Sequence, residues 1–190
     1  MKIKLILLLI PLITMGALPP SSKKMRCGIV KGQVNAVKDC LDKGESPLRT
    51  WPAGGATPLM MAIRWNKGNV ANLLAATNLT PQAHAENHSK QTPLHFAAEA
   101  GNNSMIIKLL QAGADLKHLD ANMKTPLLAA IVSAHVHNSP QQICTIKLLL
   151  EAADYWLSPE EKQLKHLVLA TQNKEMIDLL EPYFFKQKLV

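Results

Sequence analysis

The chain has 190 residues, 47% hydrophobic, 4% aromatic and 18% charged, with a formal net charge of +7. That length suits one domain or one short repeat array and excludes two large domains, while the apolar content excludes wholesale disorder. The charge is uneven: residues 23–90 carry ten Lys and Arg against four Asp and Glu, and residues 91–190 carry nine against ten. A basic N-terminal half favours an acidic partner surface or an anionic membrane. No basic run is longer than Lys23-Lys24, so nucleic acid is not an expected partner.

The chain starts with Met1-Lys2-Ile3-Lys4, followed by an uncharged run from Leu5 to Leu18 and a break at Pro19-Pro20-Ser21-Ser22. Fourteen residues reach only ~21 Å as a helix, short of a ~30 Å hydrocarbon core. A cationic start, a short apolar stretch and small residues at Gly16 and Ala17 have the pattern of a secretory signal over residues 1–20. The expected location is therefore periplasmic or secreted. A membrane enters only if this segment stays uncleaved. Three cysteines do not make a disulfide scaffold.

A first unit runs from Met25 to Gly44, with Gly32 between two helical stretches. Three fuller units follow, marked by Thr57-Pro58-Leu59, Thr92-Pro93-Leu94 and Thr125-Pro126-Leu127 at spacings of 35 and 33 residues. Five residues after each Thr stands an Ala (Ala62, Ala97, Ala130), and further on a Leu pair: Leu73-Leu74, Leu109-Leu110, Leu148-Leu149. The last pair is displaced by an insertion from His135 to Gln141. Within a unit, Thr is a good N-cap and Pro fits the first helical position, where its missing N–H is not needed. Leu94, Ala97 and Ala98 form an apolar stripe. Gly101 supplies a left-handed stop, and a second helix from Ser104 to Gln111 ends before Gly113. A last unit opens at Ser158-Pro159-Glu160-Glu161, a capping box. It contains Glu175 to Leu180 and is expected to end at Pro182, with Tyr183-Phe184-Phe185 covering the end of the stack. Helices this short are marginal alone, so each unit must bury its stripe against the units beside it.

Thr92-Pro93-Leu94-His95-Phe96-Ala97 resembles the ankyrin-repeat signature T-P-L-H-x-A, and a period near 33 agrees with it. The resemblance implies an all-α ankyrin-repeat solenoid of about five stacked helix-turn-helix repeats over residues 23–185, followed by a tail at 186–190. It implies a monomeric, non-catalytic scaffold without cofactors whose concave face grips another protein. It also implies that His95 makes a structural hydrogen bond between repeats, which Met60 and Leu128, standing in its place in the neighbouring units, cannot reproduce.

In that family the positions four, seven and eight after the Thr tend to face the groove. They place Met61, Arg64 and Trp65, then Phe96, Glu99 and Ala100, then Ala129, Val132 and Ser133 on the expected binding face, with Cys27, Val30 and Lys31 aligned to them in the first unit. The connectors add Arg49 and Trp51, then His88 and Lys90, then His118, Asp120, Asn122 and Lys124. Trp51, beside Pro52-Ala53-Gly54-Gly55, is expected to be an exposed contact residue, since Trp is favoured at binding hot spots. His84 and His88, and His135 and His137, lack a completing carboxylate or Cys, so no metal is expected. Cys40 aligns with Leu74 and Leu109 and reads as core filler. No phosphate loop, nucleophile elbow or carboxylate pair supports an enzyme.

Overall fold

The computed structural model describes residues 20–137, 139–153, 168–169 and 173–185. The lysine-flanked apolar run with its expected cleavage site, the capping box at Ser158 and the tail at 186–190 lie outside the described residues, as do the side chains of Tyr183, Phe184 and Phe185. Every regular element among the described residues is a helix. In chain order these are α1 (Pro20–Lys31), α2 (Val34–Asp42), α3 (Pro58–Arg64), α4 (Gly68–Ala75), α5 (Leu79–Ala83), α6 (Pro93–Glu99), α7 (Asn103–Gln111), α8 (Pro126–His137), α9 (Pro140–Ala153) and α10 (Lys174–Phe185).

The order of packing is that of a ladder. First helices stack on first helices: α1 on α3, α3 on α6, α6 on α8. Second helices stack likewise: α2 on α4, α4 on α7, α7 on α9, with α10 against α9. One continuous core runs through the stack, from Met25 and Ile29 through Leu59, Leu94 and Ile131 to Met176 and Leu180. Fully burying one such side chain contributes roughly 1.5–3 kcal/mol, and much of that burial is against a neighbouring unit, so the repeats stand or fall together.

The sequence signals act locally as expected. Thr57 Oγ1 accepts the Met60 N–H at 3.4 Å, Thr125 Oγ1 accepts the Leu128 N–H at 3.2 Å, and Asn102 Oδ1 accepts the Met105 N–H at 3.1 Å. Each satisfies one of the donors that a helix start leaves over. First helices end at a left-handed residue, Gly32, Asn66 or Gly101. Successive connectors are tied backbone to backbone. The His88 N–H donates to the Gly54 carbonyl at 3.0 Å, and one unit later the Ala121 N–H donates to the Ser89 carbonyl at 2.8 Å. Gly55 is required at the first of these contacts, because a Cβ there would sit 2.8 Å from the His88 backbone nitrogen and φ is +68°.

Three features depart from expectation. A short helix, α5, occupies the connector before Thr92. It is held by the buried Gln82 side chain, which donates to the carbonyls of Leu74 and Asn78, both at 2.9 Å. Pro182 does not end the last helix, which continues to Phe185. Near the helix end, Pro182 gives up the bond its N–H would make to Asp178 and crowds that carbonyl, and Asp178 is exposed. The insertion lengthens α8 to 12 residues against seven in α3 and α6.

Candidate functional site

Helices α3, α6 and α8 lie side by side, and a cavity of about 560 Å³ opens across them, closed on the fourth side by the start of α9. Its lining brings together eight residues expected on the binding face, Arg64, Phe96, Glu99, Ala100, Lys124, Ala129, Val132 and Ser133. The extra length of α8 supplies a wall that the sequence reading missed: Val136, with Ser139, Gln141 and Gln142 beyond it. The one available signal was the position of the insertion, directly after a groove-facing helix.

Glu99 is the charged centre of this cavity. It is half-buried, and its carboxylate accepts one hydrogen bond, from Gln91 Nε2 at 3.3 Å. Burial pushes its carboxyl above the ordinary range, with Lys124 and Arg64 pulling the other way. Behind it, the Glu99 carbonyl is among those that the end of α6 leaves without an intrahelical donor. Ser133 Oγ donates to it at 2.8 Å and Gln142 Nε2 at 2.7 Å, and Gln142 Nε2 also donates to Ser133 Oγ at 3.2 Å. The inserted turn is thus pinned to the end of α6. Gln142 Oε1 is buried and has no donor among the described residues.

The remaining candidates separate by exposure. Arg64, Trp65, His88, Lys90 and Asn122 are exposed, while Arg49, Met61, Lys124 and Val132 are half-buried. Met61 packs its side chain on the core. Phe96 is 4% exposed, so it is a wall of the cavity more than an open surface.

Trp51 is corrected: it is 3% exposed and belongs to the core. Its backbone N–H donates to the Ala56 carbonyl at 3.1 Å, the same base-of-connector bond that the backbone of Asn87 makes to Gln91 and that of Asp120 to Lys124, each at 3.0 Å. Trp51 therefore fills an Asx position, where the side chain turns inward. Asp120 is corrected for the same reason: it is buried, and its Oδ1 accepts the N–H groups of Asn122 at 2.8 Å and Lys124 at 2.9 Å.

His95 is structural. Its Nε2 lies 2.9 Å from the Lys124 carbonyl, in the next repeat, and its Nδ1 lies 3.2 Å from the Thr92 nitrogen. A carbonyl can only accept, so Nε2 carries the hydrogen, and because Nδ1 accepts the Thr92 N–H this arrangement is that of the neutral ring. Burial lowers its pKa, and that effect outweighs the raising hydrogen bond to Lys124 and the nearby Asp120. His118 is half-buried against the His95 ring, at 5.9 Å and edge-on, with its Nε2 3.1 Å from the Lys90 carbonyl and 3.4 Å from Glu86. Among the described residues no three His, Cys, Asp or Glu side chains are grouped to hold a metal. Among them, too, no helix is long and apolar enough to cross a membrane. Cys40 is buried, as a core residue should be, and Cys27 and Cys144 are exposed.

Residues 77–158 match the family model for ankyrin repeats in three copies. Inversin of Canis lupus familiaris is 28% identical over 135 residues, which is 67% of this chain and 12% of that protein. A putative ankyrin repeat protein of Fowlpox virus is 45% identical over 42 residues, 22% of each chain. The tyrosine-protein kinase HTK16 of Hydra vulgaris is 36% identical over 83 residues, 43% of this chain and 11% of that protein. The chain spans about an eighth of the length of the inversin it matches. With the ladder of helix pairs, these matches make the fold an all-α ankyrin solenoid, and ankyrin repeats indicate a protein–protein interaction module.

Proposed function

We propose that this ankyrin solenoid is an exported, non-catalytic adaptor or inhibitor that holds its partner protein against the cavity across α3, α6 and α8. The observation that carries the reading is that cavity: residues from three successive repeats converge on it, and apolar walls stand beside charged groups. Packed helices hold those groups in place before binding, which lowers the ordering cost of association. Arg64 and Trp65 lie exposed at its edge, Met61 beside them, and the connector residues His88, Lys90 and Asn122 extend the surface. Export is supported by the lysine-flanked apolar start.

Two measurements test the reading. The first is mass spectrometry of the mature N-terminus in the native host. A start near Ala17 or Leu18 is expected, and an intact Met1 would favour a membrane-held scaffold instead. The second is affinity capture from the native compartment with the wild type and an Arg64→Glu/Trp65→Ala variant. Both side chains are exposed, so the variant should keep its fold while losing the captured protein. Retained capture would remove the concave face from the reading.

A further inference from the structure

We infer that the partner protein of this face is acidic, and that it seats a glutamate or aspartate with an apolar neighbour in the cavity, between Arg64 and Lys124. This rests on the concave-face reading above and names the chemistry that face selects. The first observation is the charge of the lining: two cations, Arg64 and Lys124, stand against one carboxylate, Glu99. The lining therefore carries a net single positive charge, which one incoming carboxylate balances. The second is how each charge is used in the free protein. The carboxylates around the cavity are engaged from within. Glu99 accepts a hydrogen bond from Gln91 Nε2 at 3.3 Å, Asp120 is buried and holds the N–H groups of Asn122 and Lys124, and Glu86 lies 3.4 Å from His118 Nε2. The cations are differently placed. Arg64 is exposed, as is Lys90 on the adjoining connector, and Lys124 is half-buried. Among the described residues these three take part in none of the ion pairs, which join other groups. A carboxylate arriving here meets positive charge with no ion pair to break. The guanidinium of Arg64 can bond it with two N–H groups at once, and Lys124 adds a point charge from the other side. The third observation is apolar. Val132 and Val136 stand one turn apart on α8, and Val136 is 67% exposed, so this wall keeps apolar surface in water. An apolar residue beside the carboxylate covers it.

The test uses the full folded chain, isotope-labelled and titrated with a short acetylated and amidated peptide of alternating glutamate and leucine. Matched arms use the corresponding lysine and leucine peptide and phosphatidylglycerol vesicles. The glutamate peptide is expected to shift the backbone amides of Phe96, Glu99 and Val132, with an affinity that falls as salt is raised. The lysine peptide and the vesicles should leave those amides in place. Changes of charge in the cavity should act with opposite signs. Arg64→Gln/Lys124→Gln should weaken the glutamate peptide by about tenfold, while Glu99→Gln, which removes the like charge, should tighten it by about threefold. An otherwise unchanged spectrum confirms that each variant is folded. The inference is overturned if the glutamate peptide does not bind, if Arg64→Gln/Lys124→Gln binds it as well as the wild type, if Glu99→Gln does not tighten it, or if the lysine peptide or the vesicles move the same amides. Those outcomes differ from failure of the concave-face reading, which is scored by the Arg64→Glu/Trp65→Ala capture. A captured partner lost in that variant, together with a glutamate peptide indifferent to these charges, sinks only the acidic assignment.

Discussion

The junction around Trp51 and Met60 and the junction around Asp120 and His95 solve one problem with different chemistry. Both must close a connector and fasten one repeat to the next. In the first, the base of the connector is a buried indole and the third helical position is a buried Met60, whose Sδ accepts the Thr57 N–H at 3.4 Å. In the second, a buried Asp120 carboxylate holds two backbone N–H groups, and His95 reaches the Lys124 carbonyl of the next unit at 2.9 Å. The apolar version tolerates changes of shape as long as volume is kept, while the polar version depends on each partner being present. The same architecture therefore has a greasy, basic end and a hydrogen-bonded, titratable middle.

The largest effect expected is at the apolar end. Trp51→Ala should cost roughly 3–5 kcal/mol, the usual range for removing a buried large aromatic. Asp120→Ala, which leaves the Asn122 and Lys124 N–H groups to find water, should cost only about 1–3 kcal/mol. Urea unfolding measures both. If Trp51→Ala unfolds at the wild-type denaturant concentration, the indole is not part of the core and the contrast fails.

Next comes the pair at the third helical position. His95→Ala removes the bridge to Lys124 and strands the Thr92 N–H, so a loss of about 2–4 kcal/mol is expected. Met60→Leu keeps the volume and gives up only a weak sulfur contact, so under about 1.5 kcal/mol is expected. Native-state hydrogen exchange should show α6 and α8 loosening in the first variant and α3 nearly unchanged in the second. Equal losses would mean that the His95 bridge contributes nothing beyond packing.

Acid should act on the middle of the stack and spare the apolar end. The His95 pKa is lowered by burial, with the charge of His118 pushing the same way and Asp120 and the Lys124 carbonyl opposing. The folded protein thus refuses a proton that the unfolded chain accepts near the ordinary value of about 6.5. The associated stability is complete above that value and declines as the pH falls below it, with a limiting slope of ~1.4 kcal/mol per pH unit for one proton. Glu99 works in the opposite sense at lower pH, since its raised carboxyl takes up a proton more readily when folded. Urea midpoints compared between neutral and mildly acidic buffer should fall for the wild type and fall less for His95→Gln. An equal decline would place the sensitive group elsewhere.

How much of this was legible beforehand follows from the range of each force. Caps and stops are local, so Thr57, Thr92, Thr125 and Gly101 could be placed from their neighbours in sequence, and the period followed from three copies of Thr-Pro-Leu. The His95 bridge was legible only through resemblance, because its acceptor lies 29 residues away. Trp51 was misjudged since a connector surrounded by Gly and Pro looks exposed in one dimension. Its burial depends on aligning Trp51 with Asn87 and Asp120, across connectors of unequal length. The short helix α5 was missed for a similar reason: Gln82 becomes a helix-end donor only once the Leu74 carbonyl has been brought near it. In the cavity, Arg64, Glu99 and Val132 stand at family positions read from the sequence, but the wall formed by the inserted turn required coordinates, since an insertion has no register to inherit.

The smallest effect tests whether the connectors, apart from the groups at their base, are equivalent. Gly55, Lys90 and Met123 all stand two residues before the Thr of their unit, and all are left-handed, with φ of 68°, 56° and 58°. The first is a glycine, and there a Cβ would sit 2.8 Å from the backbone nitrogen of His88 in the next connector. Met123 is 68% exposed, so its side chain contributes little packing, while a non-glycine in this conformation costs roughly 1–2 kcal/mol. Met123→Gly relieves that strain but adds freedom to the unfolded chain, worth about 0.4–1 kcal/mol. A net gain of about 0.5 kcal/mol is expected from these opposing terms. A loss in the urea midpoint would show that Met123 covers the Asp120 turn, and that the polar junction relies on apolar cover just as the Trp51 junction does.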